Sequence, residues 1–130
     1  MTIIMKILVV EDDKFLRLLL EKKLKNENFE VVSAIDGEEA LEKIVTEKPD
    51  LILLDIILPK KSGFLVLEEI NKDENLKKIP VFIISNLGQP EDIERGKNLG
   101  AKEYFVKAGL SLDELLKKIK IFATEFLSTK

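Results

Sequence analysis

The chain has no cysteine and no histidine among its 130 residues. Without thiols there is no disulfide framework and no cysteine nucleophile; without imidazole the usual zinc sites and histidine catalysis are gone as well. Any metal must be held by oxygen. A basic surplus is also lacking: 24 acidic residues against 21 basic ones give a net charge of −3 and a pI near 5.2, where a nucleic-acid footprint normally shows as a clustered basic face. Direct nucleic-acid binding is therefore not expected. No apolar stretch approaches the roughly 20 residues that cross a bilayer, so no membrane insertion is expected, and there is no repeat, low-complexity segment or Pro/Gly/Ser linker. The opening Met1-Thr2-Ile3-Ile4-Met5-Lys6 is apolar but runs into a strand pattern without a cleavage-like region. The expectation is a cytoplasmic protein with one domain over residues 1–130 and a core over about 5–127.

What the chain does have is acid at the ends of apolar runs. Glu11 and Asp12 follow Lys6-Ile7-Leu8-Val9-Val10, and Asp55 follows Leu51-Ile52-Leu53-Leu54. Continuous apolar runs of this length, separated by helical patterns, read as parallel strands buried on both faces. Ligands on such sheets bind beyond the carboxyl ends of the strands. If the two runs are neighbours, three carboxylates crowd into one crevice, and an all-oxygen cluster of this kind suits a hard cation such as Mg²⁺. Two further runs fit the same edge: Pro80-Val81-Phe82-Ile83-Ile84 ends in Ser85, and Glu103-Tyr104-Phe105-Val106 ends in Lys107. Acids, a hydroxyl and an ammonium are the parts needed to move a phosphoryl group onto a carboxylate.

The helical segments are marked by their ends. Asp13 or Asp12 can cap a helix over about Lys14 to Asn26, with Leu16, Leu19, Leu20 and Leu24 facing inward. A short strand over Glu30 to Ala34 precedes a helix capped by Asp36 that turns Ala40, Leu41 and Ile44 inward, and Lys48-Pro49-Asp50 breaks it. Gly63 to Lys72 supplies the next helix, and Pro90 opens another that Gly100 ends. Ser111-Leu112-Asp113-Glu114 is a capping box for the last, whose inward stripe is Leu112, Leu115, Leu116, Ile119, Phe122, Ala123 and Phe126. Five strands alternating with five helices through right-handed crossovers give an α/β, doubly wound parallel sheet.

In order and spacing, Ile7 to Asp13, Asp36-Gly37-Glu38-Glu39-Ala40-Leu41, Pro49 to Asp55, Pro59, Gly63, Ile79-Pro80-Val81 through Ser85, Gly100-Ala101 and Tyr104 to Lys107 make the chain resemble the receiver domain of two-component response regulators. The resemblance implies a flavodoxin-like (βα)5 sandwich with strand order 2-1-3-4-5. It implies Asp55 as phosphoacceptor, charged by a sensor histidine kinase or a phosphotransfer protein. It implies Mg²⁺ held by Asp12, by Glu11 through water, by Asp55 and by the backbone carbonyl of Ile57. Lys107 and Ser85 would contact the phosphoryl group, and Ser85 with Tyr104 would switch a surface for a downstream protein target. Such a domain phosphorylates itself and slowly loses the group, without being a turnover enzyme.

Each role has a plainer alternative. Glu11 and Asp12 could cap a helix, Lys107 could snorkel at a strand end, and Tyr104 could be core. Phe15 and Leu18, off the main stripe of the first helix, either dock a kinase helix pair or pack at the helix margin. Against the family pattern, Ala108 follows Lys107 in place of proline, which points to a trans loop relaxed through Gly109 or a strained cis bond. Ile57 and Leu87, each two residues beyond a site residue, are apolar and predict slow autodephosphorylation. The competing functions are a constitutive pseudo-receiver scaffold and a Mg²⁺-dependent phosphohydrolase; the latter would need a second acid and a substrate cap that the sequence does not offer.

Overall fold

In the computed structural model, which describes residues 4–128, elements alternate strictly: β1 (Lys6–Val10), α1 (Lys14–Asn26), β2 (Glu30–Ala34), α2 (Gly37–Glu47), β3 (Leu51–Leu54), α3 (Gly63–Asn71), β4 (Val81–Ser85), α4 (Pro90–Asn98), β5 (Glu103–Val106) and α5 (Leu112–Ser128). Met1, Thr2 and Ile3 of the opening stretch lie outside the described residues. The strands form one parallel sheet in the order β2-β1-β3-β4-β5. The apolar runs of β1, β3 and β4 are buried on both faces, as parallel strands under two helical layers must be, while β5 at the sheet edge is half-buried. Leu8, Val10, Ile52, Leu54, Val81 and Ile83 face one core, filled by α2 and α3 residues such as Ile44, Phe64 and Leu67. Ile7, Val9, Leu51, Leu53, Phe82 and Ile84 face the other, filled by Leu20, Leu24, Leu115 and Ile119. Phe82 anchors this second core, with the Phe105 and Phe122 rings at 6.0 and 5.7 Å.

Helix boundaries follow local chemistry. Asp13, not Asp12, caps α1, accepting the Leu16 N–H at 3.1 Å; Asp36 caps α2 through the Glu39 N–H at 2.8 Å. Lys48, left-handed at φ 49°, ends α2 before Pro49. Of the capping box on α5, the Ser111 Oγ accepts the Glu114 N–H at 3.4 Å. The inward stripe of α5 packs as expected, with Leu115, Ile119 and Ala123 buried and Leu112, Leu116, Phe122 and Phe126 against them. On α1 the stripe is narrower, because Leu19 is only half-buried and joins neither core.

After β5 every described peptide bond, Lys107–Ala108 included, is trans. The chain turns through a single 3₁₀ turn over Lys107–Gly109, closed by the Leu110 N–H on the Lys107 carbonyl at 3.2 Å, and Gly109 does not take a left-handed φ. The bend therefore comes from a tightened hydrogen-bonded turn, which alanine and glycine both accept.

The two-sided core sets a stability contrast along α5. Leu115→Ala, at a fully buried position, is expected to cost about 2–5 kcal/mol. Leu127→Ala, at a position 44% exposed, should stay within about 0.5 kcal/mol of the parent. Urea unfolding of both variants checks this, and equal midpoints would contradict the packing.

Candidate functional site

The register of the sheet places the acids. Val10 of β1 lies opposite Leu54 of β3, so Glu11 and Asp55 emerge side by side at the carboxyl edge. Strand pairing continues one residue further for each: the Glu11 N–H donates to the Ala34 carbonyl at 3.0 Å and the Asp55 N–H to the Val10 carbonyl at 3.1 Å. The acids thus inherit the rigidity of the central strands. Glu11 is 2% exposed and Asp55 4%, while Asp12, one step along the loop, is open to solvent. One carboxylate oxygen from each of Glu11, Asp12 and Asp55 lies within 4.8 Å of the others.

Lys107, at the end of β5, reaches past β4 into this cluster. Its Nζ stands 2.9 Å from Glu11 Oε1 and 2.9 Å from Asp55 Oδ2. The remaining oxygens are met by backbone: Glu11 Oε2 accepts the Asp13 N–H at 3.1 Å and Asp55 Oδ1 the Ile57 N–H at 3.3 Å. Burial pushes the Glu11 carboxyl above its ordinary pKa, more than the hydrogen bonds from Lys107 and Asp13 pull it back, and the Asp55 charge adds to the rise. For Lys107 burial works against the ammonium, yet its hydrogen bonds and charge pairing with Glu11 and Asp55 hold its pKa above that of an ordinary lysine. Lys107 therefore stays a cation near neutrality. This pairing removes the snorkelling alternative for Lys107, whose side chain turns inward and is only 17% exposed.

Ser85 closes the edge from β4. It is fully buried, and its Oγ accepts the Leu87 N–H at 3.2 Å. The Tyr104 hydroxyl donates to the Leu87 carbonyl at 2.6 Å, so the loop after β4 is tied to both side chains. Burial raises the Tyr104 pKa, with the Asp92 charge adding to it and the Ser85 hydroxyl opposing. The phenol is thus a donor near neutral pH. Its ring packs on the α2–α3 core and against Gly96 of α4.

The structure thus brings Glu11, Asp12, Asp55, Ser85 and Lys107 to one edge, with Tyr104 one layer below. Ile57 sits beside the cluster, 55% exposed, and the aliphatic Leu87 is half-buried. Phe15 and Leu18 lie on α1, 82% and 51% exposed, so the Phe15 ring is not core, while Leu18 is about half covered. Two residues escape a reading of the sequence. Arg17 Nη1 donates to the Glu11 carbonyl at 2.9 Å and the Asp12 carbonyl at 3.3 Å, pinning the loop that carries both acids. Lys60 pairs with Asp36 at 3.6 Å and takes a left-handed φ of 67°. An arginine in the turn after an acid pair is a weak signal for the first; nothing local signals the second.

Comparison with known proteins agrees with this geometry. The sequence model of the response regulator receiver domain matches residues 7–120. A probable transcriptional regulator of Guillardia theta is 41% identical over 102 residues, covering 78% of this chain and 39% of that protein. The alkaline phosphatase synthesis transcriptional regulatory protein PhoP of Bacillus subtilis is 39% identical over 102 residues, covering 78% and 42%. The chain thus spans about two fifths of the length of these two relatives. Among solved structures, the phosphorylated cyanobacterial phytochrome response regulator RcpA is 37% identical with a TM-score of 0.82, covering 98% of this chain and 97% of that one. The receiver domain of Francisella response regulator 1452 is 31% identical with a TM-score of 0.85, covering 93% and 98%. On the strength of the matched residues 7–120, the parallel sheet order and these relatives, the chain belongs to the response regulator receiver domain family.

Proposed function

We propose that this domain is a phosphorylation-controlled switch: Asp55 accepts a phosphoryl group from a sensor histidine kinase or a phosphotransfer protein, and the modified domain presents an altered surface to a downstream protein. The observation that carries this reading is the shared ammonium, with Lys107 Nζ at 2.9 Å from both buried carboxylates. A phosphoryl group arriving at Asp55 meets a cation already in place, at no cost of reorganisation.

In the transfer, a carboxylate oxygen of Asp55 bonds to phosphorus. The bond from phosphorus to the donor's imidazole nitrogen breaks, and its electron pair stays on that nitrogen. Lys107 is then the nearest cation for the phosphoryl oxygens, and Ser85 can donate its hydroxyl hydrogen while its oxygen accepts from Leu87. A Ser85 turned toward the phosphoryl group would change the loop that also holds Tyr104 through the Leu87 carbonyl. Added charge and acceptors at Asp55 therefore bias the state of the surface formed by α4, β5 and α5.

The donor set fits Mg²⁺. Three carboxylates within 4.8 Å face one ammonium, which leaves surplus negative charge, all donors are oxygen, and exposed Asp12 keeps one side open to water. Asp12 and Asp55 would hold the ion directly, Glu11 through water, and the Ile57 carbonyl would complete the protein's share. When bound, it supplies charge neutralisation to the phosphoryl oxygens during transfer. Neither Glu11 nor Asp12 is used to cap α1, since Asp13 does so.

Three expectations follow. Intact mass after incubation with Mg²⁺ and acetyl phosphate should rise by one phosphoryl group, and not in Asp55→Asn or without Mg²⁺; an unmodified parent, also unmodified by its kinase, would favour a constitutive scaffold. Ile57 and Leu87 offer no hydrogen bond to an attacking water, so the phosphorylated form should be long-lived. Ile57→Asn is expected to shorten its half-life by about tenfold, a modest share of what an orienting polar group can supply; an unchanged half-life would refute this. Phe15→Ala should lose phosphotransfer from the kinase while its thermal unfolding stays that of the parent, because the ring touches solvent rather than core.

A further inference from the structure

The loop between β3 and α3, residues 55–62, carries Ile57 and is pinned at three points. Its ends are joined by the Gly63 N–H on the Ile56 carbonyl at 2.8 Å, and its start by the Ile57 N–H on Asp55 Oδ1 at 3.3 Å. Its tip is a three-residue turn in which the Lys61 N–H donates to the Pro59 carbonyl at 2.7 Å around Lys60 at φ 67°. A γ-turn with positive φ at a residue bearing a side chain is rare and strained. Such strain persists only where the surroundings impose it.

Those surroundings are the start of α2. The Gly37 N–H donates to the same Pro59 carbonyl at 3.3 Å. A Cβ at residue 37 would stand 2.2 Å from the Lys61 carbonyl oxygen and 2.6 Å from Lys61 Cβ, so the turn is seated directly on glycine backbone. Lys60 Nζ reaches Asp36 at 3.6 Å and Glu38 at 3.9 Å. On the other side Gly63 is equally tight, since its Cβ would lie 2.3 Å from the Asp55 carbonyl oxygen. The loop is thus wedged between two glycines, with the strained turn as its far support.

We infer that Lys60 is a positioning residue: its left-handed turn, seated on Gly37, holds the Ile57 backbone against Asp55 and so tunes the affinity of the acid cluster for a divalent cation. This rests on the reading of the cluster as a Mg²⁺ site. Lys60 touches neither the acids nor the phosphoryl position; it acts through the loop.

Two variants that remove the same charge separate the turn from electrostatics. Lys60→Met and Lys60→Gly both lose the ammonium and the pairing with Asp36, but only glycine takes φ 67° without strain. If charge alone mattered, both would bind Mg²⁺ slightly more tightly than the parent and equally to each other. The positioning role predicts that Lys60→Met binds Mg²⁺ about three- to tenfold more weakly than Lys60→Gly, a share of the cost of holding such a residue in place. Titration calorimetry of the unphosphorylated chain with MgCl₂ reads this, and the Ile57 amide resonance should move between the variants. Both should fold, because the Lys60 side chain is 58% exposed. Gly37→Ala attacks the same seat from α2 and should weaken Mg²⁺ at least as much as Lys60→Met. Equal affinities for the two Lys60 variants, or an unaltered affinity in a folded Gly37→Ala, would overturn the inference. A parent chain that binds no Mg²⁺ at millimolar concentration would instead overturn the metal site itself, and the inference with it.

Discussion

Everything at the carboxyl edge depends on one ammonium shared by two buried carboxylates. Glu11 and Asp55 are almost entirely removed from water, and an ionised carboxylate so placed costs several kcal/mol unless paired. Lys107 pairs with both at 2.9 Å, but one positive charge cannot balance two negative ones. The backbone N–H groups of Asp13 and Ile57 each donate to the other oxygen of one of these carboxylates without supplying a full charge. Burial still raises the Glu11 pKa through this compensation. The edge therefore carries a surplus of negative charge around one ammonium, and Asp12 keeps it open to solvent.

That arrangement requires the topology. With β1 and β3 adjacent, Glu11 and Asp55 are brought together by strand register rather than by loop flexibility. With β4 between β3 and β5, the lysine has to come from two strands away, and its long side chain is what spans the gap. A shorter cation at residue 107 would leave the carboxylates repelling each other. Ser85 on the intervening strand is fully buried, which fits a position beneath the crossing.

Residues whose environment is set by a strand were legible in the sequence. An apolar run buried on both faces announces itself by composition, and the residue after it falls at the carboxyl edge; hence Glu11, Asp55, Ser85 and Lys107 could be named before any coordinates. Strand order could not, because periodicity describes each strand and says nothing of its neighbours; the family resemblance supplied it. The choice between Asp12 and Asp13 as cap rested on a one-residue phase that only the helix geometry fixes. Phe15 was ambiguous because an aromatic at the edge of a stripe looks alike whether it meets core or solvent. Arg17 and Lys60 were harder to read for a different reason: Arg17 meets backbone carbonyls, for which an arginine after an acid pair is only a weak signal, and Lys60 meets Asp36 and Glu38 at the start of α2, a pairing set by the tertiary fold.

Rigidity is distributed unevenly around the edge, and the distribution is consistent with a switch. Glu11 and Asp55 directly follow central strands and are buried, and Arg17 holds the backbone carbonyls of Glu11 and Asp12, so the backbone of the cluster is fixed. On the far side, α4 contributes a single buried residue, Gly96, which lies flush against Ile83 and Tyr104. Its other holds are partial: Leu99 at its end packs against the α2–α3 core, Arg95 lies over the Phe64 ring at 4.2 Å and near Glu68 at 3.5 Å, and the Asn71 amide donates to the Leu99 carbonyl. A helix with one buried residue and otherwise half-buried or surface contacts has few of the buried apolar contacts that raise local stability. Ser85 and Tyr104 both hold the loop after β4, through the Leu87 N–H and the Leu87 carbonyl, and Gly96 of α4 lies against the tyrosine ring. Stiffness where the phosphoryl group would bind and compliance where a partner would read it are therefore separated by one aromatic side chain.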